Sequence, residues 1–122
     1  MAKTILVVDD SASLRQVVNI ALTGAGYDVI EACDGKDALT KLNGQKIHLI
    51  ISDVNMPNMD GIAFVAASKQ LPAYKFTPVI MLTTEANELK KQAGQAAGAK
   101  AWVVKPFQPA QMLNAVSKLI MP

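Results

Sequence analysis

Cysteine and histidine occur once each in 122 residues, as Cys33 and His48. That excludes an internal disulfide and leaves no paired Cys or His spacing for zinc, so a reducing, cytoplasmic setting is expected. Cys33, with no evident histidine partner, reads as a small buried hydrophobe. His48, just before a strand, reads as a surface residue without partners. Aromatic residues make up only 5% of the chain, so Val, Ile, Leu and Ala must form the core, with the six Met filling gaps. No run of Lys or Arg exceeds two residues and the formal charge is +2, which argues against nucleic-acid binding. Lys90-Lys91, Lys100 and Lys118 read as solvated faces. Apolar runs are only a few residues long, so none spans a bilayer, and Met1-Ala2-Lys3 shows no signal-peptide profile.

What is present is a compact globular composition, 51% hydrophobic and 18% charged, expected to form one domain over residues 1–122. Short β-branched runs alternate with helical stripes. Ile5 to Val8 reads as a buried strand, with Ser11 or Ser13 capping a helix lined by Leu14, Val17, Val18, Ala21 and Leu22. Tyr27 to Ala32 is a second strand, Asp34-Gly35 a turn, and Ala38, Leu39 and Leu42 mark a short helix. Leu49 to Ile51, Val79 to Leu82 and Ala101 to Val104 complete five strands. Helices follow through Phe64, Val65 and Ala67; through Leu89, Ala93, Ala96 and Ala97; and through Met112, Leu113, Val116, Leu119 and Ile120, with Pro122 directly after. Thr83 or Thr84 is placed to cap the fourth helix. Five successive β-α units imply an α/β fold, a doubly wound parallel sheet with helices on both faces. Ligands in such sheets bind beyond the carboxyl ends of the strands, where the winding reverses.

Asp9-Asp10, Asp53, Thr83 and Lys105-Pro106 each follow such a strand and would share that edge. Taken singly, Asp9-Asp10 could cap a helix, Asp53 could sit in a turn and Lys105 could be an ordinary loop residue. Together they are three carboxylates, a hydroxyl and an ammonium in a small volume. Carboxylates about 5 Å apart repel by roughly 3 kcal/mol per pair at an effective dielectric near 20. A divalent cation relieves this, and hard oxygen ligands with room for water suit Mg²⁺.

The stretches Val7-Val8-Asp9-Asp10-Ser11, Ile51-Ser52-Asp53 through Asp60-Gly61, Met81-Leu82-Thr83-Thr84-Glu85 and Gly98 through Lys105-Pro106-Phe107 together resemble the response-regulator receiver domain, in particular its stand-alone chemotaxis members. The likeness covers the whole chain. It implies a flavodoxin-like sheet of order 2-1-3-4-5 with five helices, an order that comes with the resemblance and not from the pattern. It implies two-component signalling: Asp53 as phosphoacceptor from a sensor histidine kinase, and Mg²⁺ held by Asp10, Asp53 and the carbonyl of Asn55, with Asp9 acting largely through water. Lys105 would pair with the phosphoryl oxygens, its bond to Pro106 being cis, and Thr83 would move toward the phosphoryl group. Asn55 and Glu85 would set the lifetime of the phosphorylated state. Family members carry Tyr or Phe where Trp102 stands, so Trp102 is either a switch residue or a packing and partner-contact residue. The implied partners are the kinase, an output protein such as a flagellar motor switch, and a phosphatase, for a cytoplasmic monomer with no effector domain. A phosphorelay receiver or phosphate sink outside motility is the alternative. A degenerate receiver acting only as a protein-binding scaffold is a further one. A haloacid-dehalogenase phosphatase is disfavoured because Asn55 stands where a second acid is needed. A flavin carrier is disfavoured because the acidic pair would repel a phosphate.

Overall fold

The computed structural model describes residues 2–120; Pro122, expected directly after the last helix, lies outside them. The elements run β1 (Thr4–Val8), α1 (Ala12–Gly24), β2 (Asp28–Ala32), α2 (Gly35–Lys41), β3 (Leu49–Ser52), α3 (Gly61–Ser68), β4 (Val79–Thr83), α4 (Glu88–Ala97), β5 (Ala101–Val104) and α5 (Pro109–Leu119). Every strand pair is parallel, in the order β2-β1-β3-β4-β5. The chain winds from β1 outward to β2 and then back past β1 to β3. The winding therefore reverses between β1 and β3, beyond whose carboxyl ends a crevice opens.

Strand side chains alternate between two cores, which is why the central strands are apolar without interruption. Leu6, Val8, Ile50, Val79 and Met81 face a layer that includes Ala38 of α2 and Phe64 and Val65 of α3. Ile5, Val7, Leu49, Ile51, Ile80 and Leu82 face α1 and α5 through Val18, Leu22, Met112 and Val116. Burying each such large side chain contributes about 1.5–3 kcal/mol. Met81 and Met112 are fully buried, and Met56 and Met59 pack against the first core, as gap-fillers should. Among the described residues no helix is long and apolar enough to cross a membrane.

Several local expectations are corrected. Asp34-Gly35 is not a free turn: the Asp34 carboxylate accepts from the Asp37 N–H at 2.7 Å and opens α2. Asn87, immediately before Glu88, caps α4, accepting from the Leu89 N–H at 2.8 Å; Thr84 lies too far upstream and is exposed. Val17 is 49% exposed and Leu89 75% exposed, so neither belongs to an inner stripe. In α4 the one buried residue is Gly94. A Cβ there would lie 2.7 Å from Trp102 Cζ3, so the indole occupies the space against the helix backbone and turns Leu89, Ala93 and Ala96 outward. Cys33 is exposed, one residue past β2, where its N–H is drawn to the Asp37 carboxylate at 3.0 Å. His48 does have a partner. Its Nδ1 accepts from the Thr4 N–H at 3.0 Å and its own N–H donates to the Thr4 carbonyl at 2.8 Å. Partial burial, with Lys3 and Lys46 nearby, holds its pKa below the ordinary value.

Candidate functional site

The sheet's hydrogen-bond ladder continues one step past β1, β3 and β5 and carries the site residues with it. Asp9 N–H donates to Ala32 O at 3.1 Å, Asp53 N–H to Val8 O at 2.9 Å and Lys105 N–H to Thr83 O at 2.8 Å. Residues remote in sequence are thereby fixed at one rim by backbone bonds. Lys105 Nζ reaches Asp9 Oδ2 at 2.8 Å and Asp53 Oδ2 at 3.3 Å. The Lys105–Pro106 bond is cis. Gly61, the first residue of α3, donates its N–H to Val54 O at 2.8 Å. A Cβ on Gly61 would lie 1.9 Å from the Asp53 carbonyl oxygen, so this close approach requires glycine.

Carboxylate oxygens of Asp9, Asp10 and Asp53 lie within 4.8 Å of one another, Asp9 and Asp53 buried and Asp10 exposed. Asp9 Oδ1 accepts from the Ser11 N–H at 2.9 Å and Asp53 Oδ1 from the Val54 N–H at 2.7 Å. Burial holds the Asp9 carboxyl above the usual carboxylate range. The Lys105 hydrogen bond and the Ser11 N–H draw it back, while Asp53 adds to the rise. One ammonium against three carboxylates leaves two negative charges uncompensated. Asn55 is exposed on the β3–α3 loop, and its carbonyl accepts no hydrogen bond among the described residues. Carboxylates and a free carbonyl are the donor set of a small hard divalent cation, so the residues present fit Mg²⁺.

A second set of contacts leads away from the rim. Thr83 is fully buried, and its Oγ1 accepts from the Glu85 N–H at 3.1 Å. The Glu85 carbonyl accepts from Trp102 Nε1–H at 2.9 Å. Both sides of Glu85's backbone are thus tied to the two residues singled out as a switch. The Glu85 carboxylate turns to the Asn87 N–H at 3.0 Å.

Three supports escaped the sequence reading. Asn58, at φ 69°, donates from Nδ2 to Asp34 Oδ2 at 2.7 Å, and Gly35 N–H donates to Met59 O at 3.2 Å. These bonds staple the β3–α3 loop to α2, and together the Asp37 N–H and Asn58 amide hold the Asp34 carboxyl below its ordinary range. The sequence signal was slight: Asn is a type that tolerates positive φ. Arg15, on α1, donates from Nη1 to Asp9 O at 2.6 Å. Gly94, beneath Trp102, offered no signal beyond its small size.

The family model of the response regulator receiver domain matches residues 5–117. Chemotaxis protein CheY4 of Vibrio cholerae has a similar structure, with a TM-score of 0.93 at 48% identity, covering 98% of this chain and 99% of that one. Protein PilG of Pseudomonas aeruginosa is 37% identical over 112 residues, which is 92% of this chain and 83% of PilG. The alkaline phosphatase synthesis transcriptional regulatory protein PhoP of Bacillus subtilis is 42% identical over 122 residues, 99% of this chain; the chain spans 49% of PhoP, about half its length. With its strand order, acidic rim and Lys105 bridge, the chain belongs to the response regulator receiver domain family of two-component signalling and is CheY-like.

Proposed function

We propose that this chain is a phosphorylation-driven switch that accepts a phosphoryl group on Asp53 from a phosphohistidine of a sensor histidine kinase. The observation that carries the reading is Lys105 held between Asp9 and Asp53 at the rim where Asp10 converges. An Asp53 carboxylate oxygen attacks phosphorus in line. The phosphorus–nitrogen bond breaks, its electron pair stays on the imidazole nitrogen, and an acyl phosphate forms on Asp53. Asp10, Asp53 and the Asn55 carbonyl would hold Mg²⁺ directly, with Asp9 acting through water; when bound, the ion supplies charge neutralisation for the approaching phosphoryl oxygens. Lys105 shifts its donors from the carboxylates to the phosphoryl group. Positioning and charge neutralisation do most of the work, as in phosphoryl transfer generally.

The Thr83 hydroxyl then turns to donate its proton to a phosphoryl oxygen, which draws Oγ1 away from the Glu85 N–H. When Thr83 turns, the Glu85 backbone loses one of its ties and Trp102 feels the change through its bond to the Glu85 carbonyl. The α4 and β5 surface carries that change to an output protein. In-line attack by water on the acyl phosphate resets the site, with Asn55 and Glu85 tuning the rate and a phosphatase accelerating it. Full-length likeness to a protein named for chemotaxis favours an output in motility, with a flagellar motor switch as target, for a cytoplasmic monomer acting as one unit over residues 1–122.

The test is incubation with a small acyl-phosphate donor with and without Mg²⁺. A mass gain of one phosphoryl group that needs Mg²⁺ and is lost in Asp53→Asn is expected. Labelling that ignores the metal, or persists in that variant, rejects the reading.

A further inference from the structure

Asp10 differs from its neighbours at the rim. Asp9 is held by Ser11 and Lys105 and Asp53 by Val54 and Lys105, whereas the Asp10 carboxylate is exposed and has no hydrogen-bond partner among the described residues. What aims it is its own backbone, and the peptide bond leading into Asp10 is held from α1. Arg15 Nη1 donates to the Asp9 carbonyl at 2.6 Å while Arg15 Nε donates to Glu31 Oε1 at 3.1 Å. The other oxygen of Glu31 accepts from Asn19 Nδ2 at 2.8 Å, and Asn19 Oδ1 accepts from Thr23 Oγ1 at 2.8 Å. Arg15, Asn19 and Thr23 are four apart and share one face of α1. The guanidinium is thus fixed along two of its edges, a geometry that a lysine cannot reproduce.

We propose that Arg15 is a positioning residue for the metal-binding loop: it clamps the Asp9–Asp10 peptide so that Asp10 points into the acidic rim, and Glu31 holds the guanidinium on that carbonyl. This rests on the reading that Asp9, Asp10 and Asp53 bind Mg²⁺. Charge and position make opposite demands. A cation beside three carboxylates competes with Mg²⁺, so if Arg15 acted by charge alone its removal would tighten metal binding. If it acts by aiming Asp10, its removal weakens binding in spite of the relieved repulsion. The pairing with Glu31, whose side chain is 38% exposed against 17% for Arg15, offsets the guanidinium charge and leaves the positional effect dominant.

The experiment is calorimetric titration of the full chain with Mg²⁺ for wild type, Arg15→Gln, Arg15→Lys and Glu31→Gln, with folding of each checked by thermal unfolding in chelator. Loss of a group that orients a metal ligand typically weakens the metal by 10–100-fold; about tenfold is expected for Arg15→Gln, with smaller losses for Arg15→Lys and Glu31→Gln. In acyl-phosphate labelling the Mg²⁺ concentration for half-maximal rate should rise by the same factor, with a much smaller change in the maximal rate. Arg15→Lys keeps the positive charge and loses the two-edged fork, so it carries the test if Arg15→Gln does not fold. Wild-type binding with equal or tighter binding in Arg15→Gln, or in Arg15→Lys where Arg15→Gln does not fold, overturns the inference alone. A fall confined to the maximal rate also overturns it, and a wild type that takes up no Mg²⁺ overturns the parent reading together with it.

Discussion

Replacing Lys105 by Met keeps much of the side-chain volume and removes the one ammonium that bridges Asp9 and Asp53, at 2.8 and 3.3 Å. The Lys105, Asp9 and Asp53 side chains are 13%, 6% and 11% exposed, so water screens them little. At an effective dielectric near 20 each contact is worth about 5–6 kcal/mol gross, most of which offsets the desolvation of the charges. Removing one partner of a buried pair costs about 3–5 kcal/mol net. Protonation of a stranded carboxylate sets a ceiling: at about 1.36 kcal/mol per pH unit, moving from an ordinary value near 3.9 to pH 7 costs about 4 kcal/mol. The two limits together set an expected loss of about 3 kcal/mol, or about 10 °C in Tm for a domain of this size. Mg²⁺ should bind the variant more tightly because a competing cation has gone; a tenfold gain, about 1.4 kcal/mol, would close roughly half the gap. Thermal unfolding of both proteins, in chelator and in saturating Mg²⁺, measures this. A variant within about 2 °C of wild type in chelator, or a gap that fails to narrow with Mg²⁺, refutes the reasoning.

Gly61→Ala forces a Cβ to within 1.9 Å of the Asp53 carbonyl oxygen; it should cost about 3 kcal/mol in denaturant unfolding and slow labelling of Asp53, and wild-type values for both would contradict this. Asn55→Lys or Glu85→Ala should change the decay rate of the phosphorylated chain while leaving the fold intact, and unaltered decay in both rejects a tuning role. Beryllofluoride with Mg²⁺ should shift Trp102 emission, because the indole is tied to Glu85 and packed on Gly94; a flat titration despite demonstrated binding counts against a switch role. The Asp34 carboxyl lies below its ordinary pKa, so its stabilising effect is full above about pH 4 and fades as pH falls through the depressed folded value. Asp34→Asn should therefore flatten that acid limb of stability, and an unchanged limb would show that Asp34 does not supply it.

The strands and the assembly of the rim were legible because a parallel sheet aligns its carboxyl ends. Once Val8, Ser52 and Val104 are known to end strands, Asp9, Asp53 and Lys105 must meet. Helical period was a weaker guide, since it names a face without saying what lies beneath it. Val17 matched the α1 stripe and yet stands half in solvent, and the α4 stripe was displaced because Trp102 packs on Gly94. The caps Asp34 and Asn87 were missed because their roles depend on where a helix begins, to within one or two residues. Arg15 with Glu31, and Asn58 with Asp34, were illegible for another reason. Each pair joins side chains from different elements, and only the packed angle between α1 and β2, or between α2 and the β3–α3 loop, brings them together.

The most direct test is a crystal structure of the wild-type chain with Mg²⁺ and beryllofluoride. Beryllofluoride should be joined to Asp53 and contacted by Lys105 and Thr83, with the metal touching Asp10, Asp53 and the Asn55 carbonyl. Lys105 still bridging Asp9 and Asp53, with metal and beryllofluoride bound elsewhere, would contradict this.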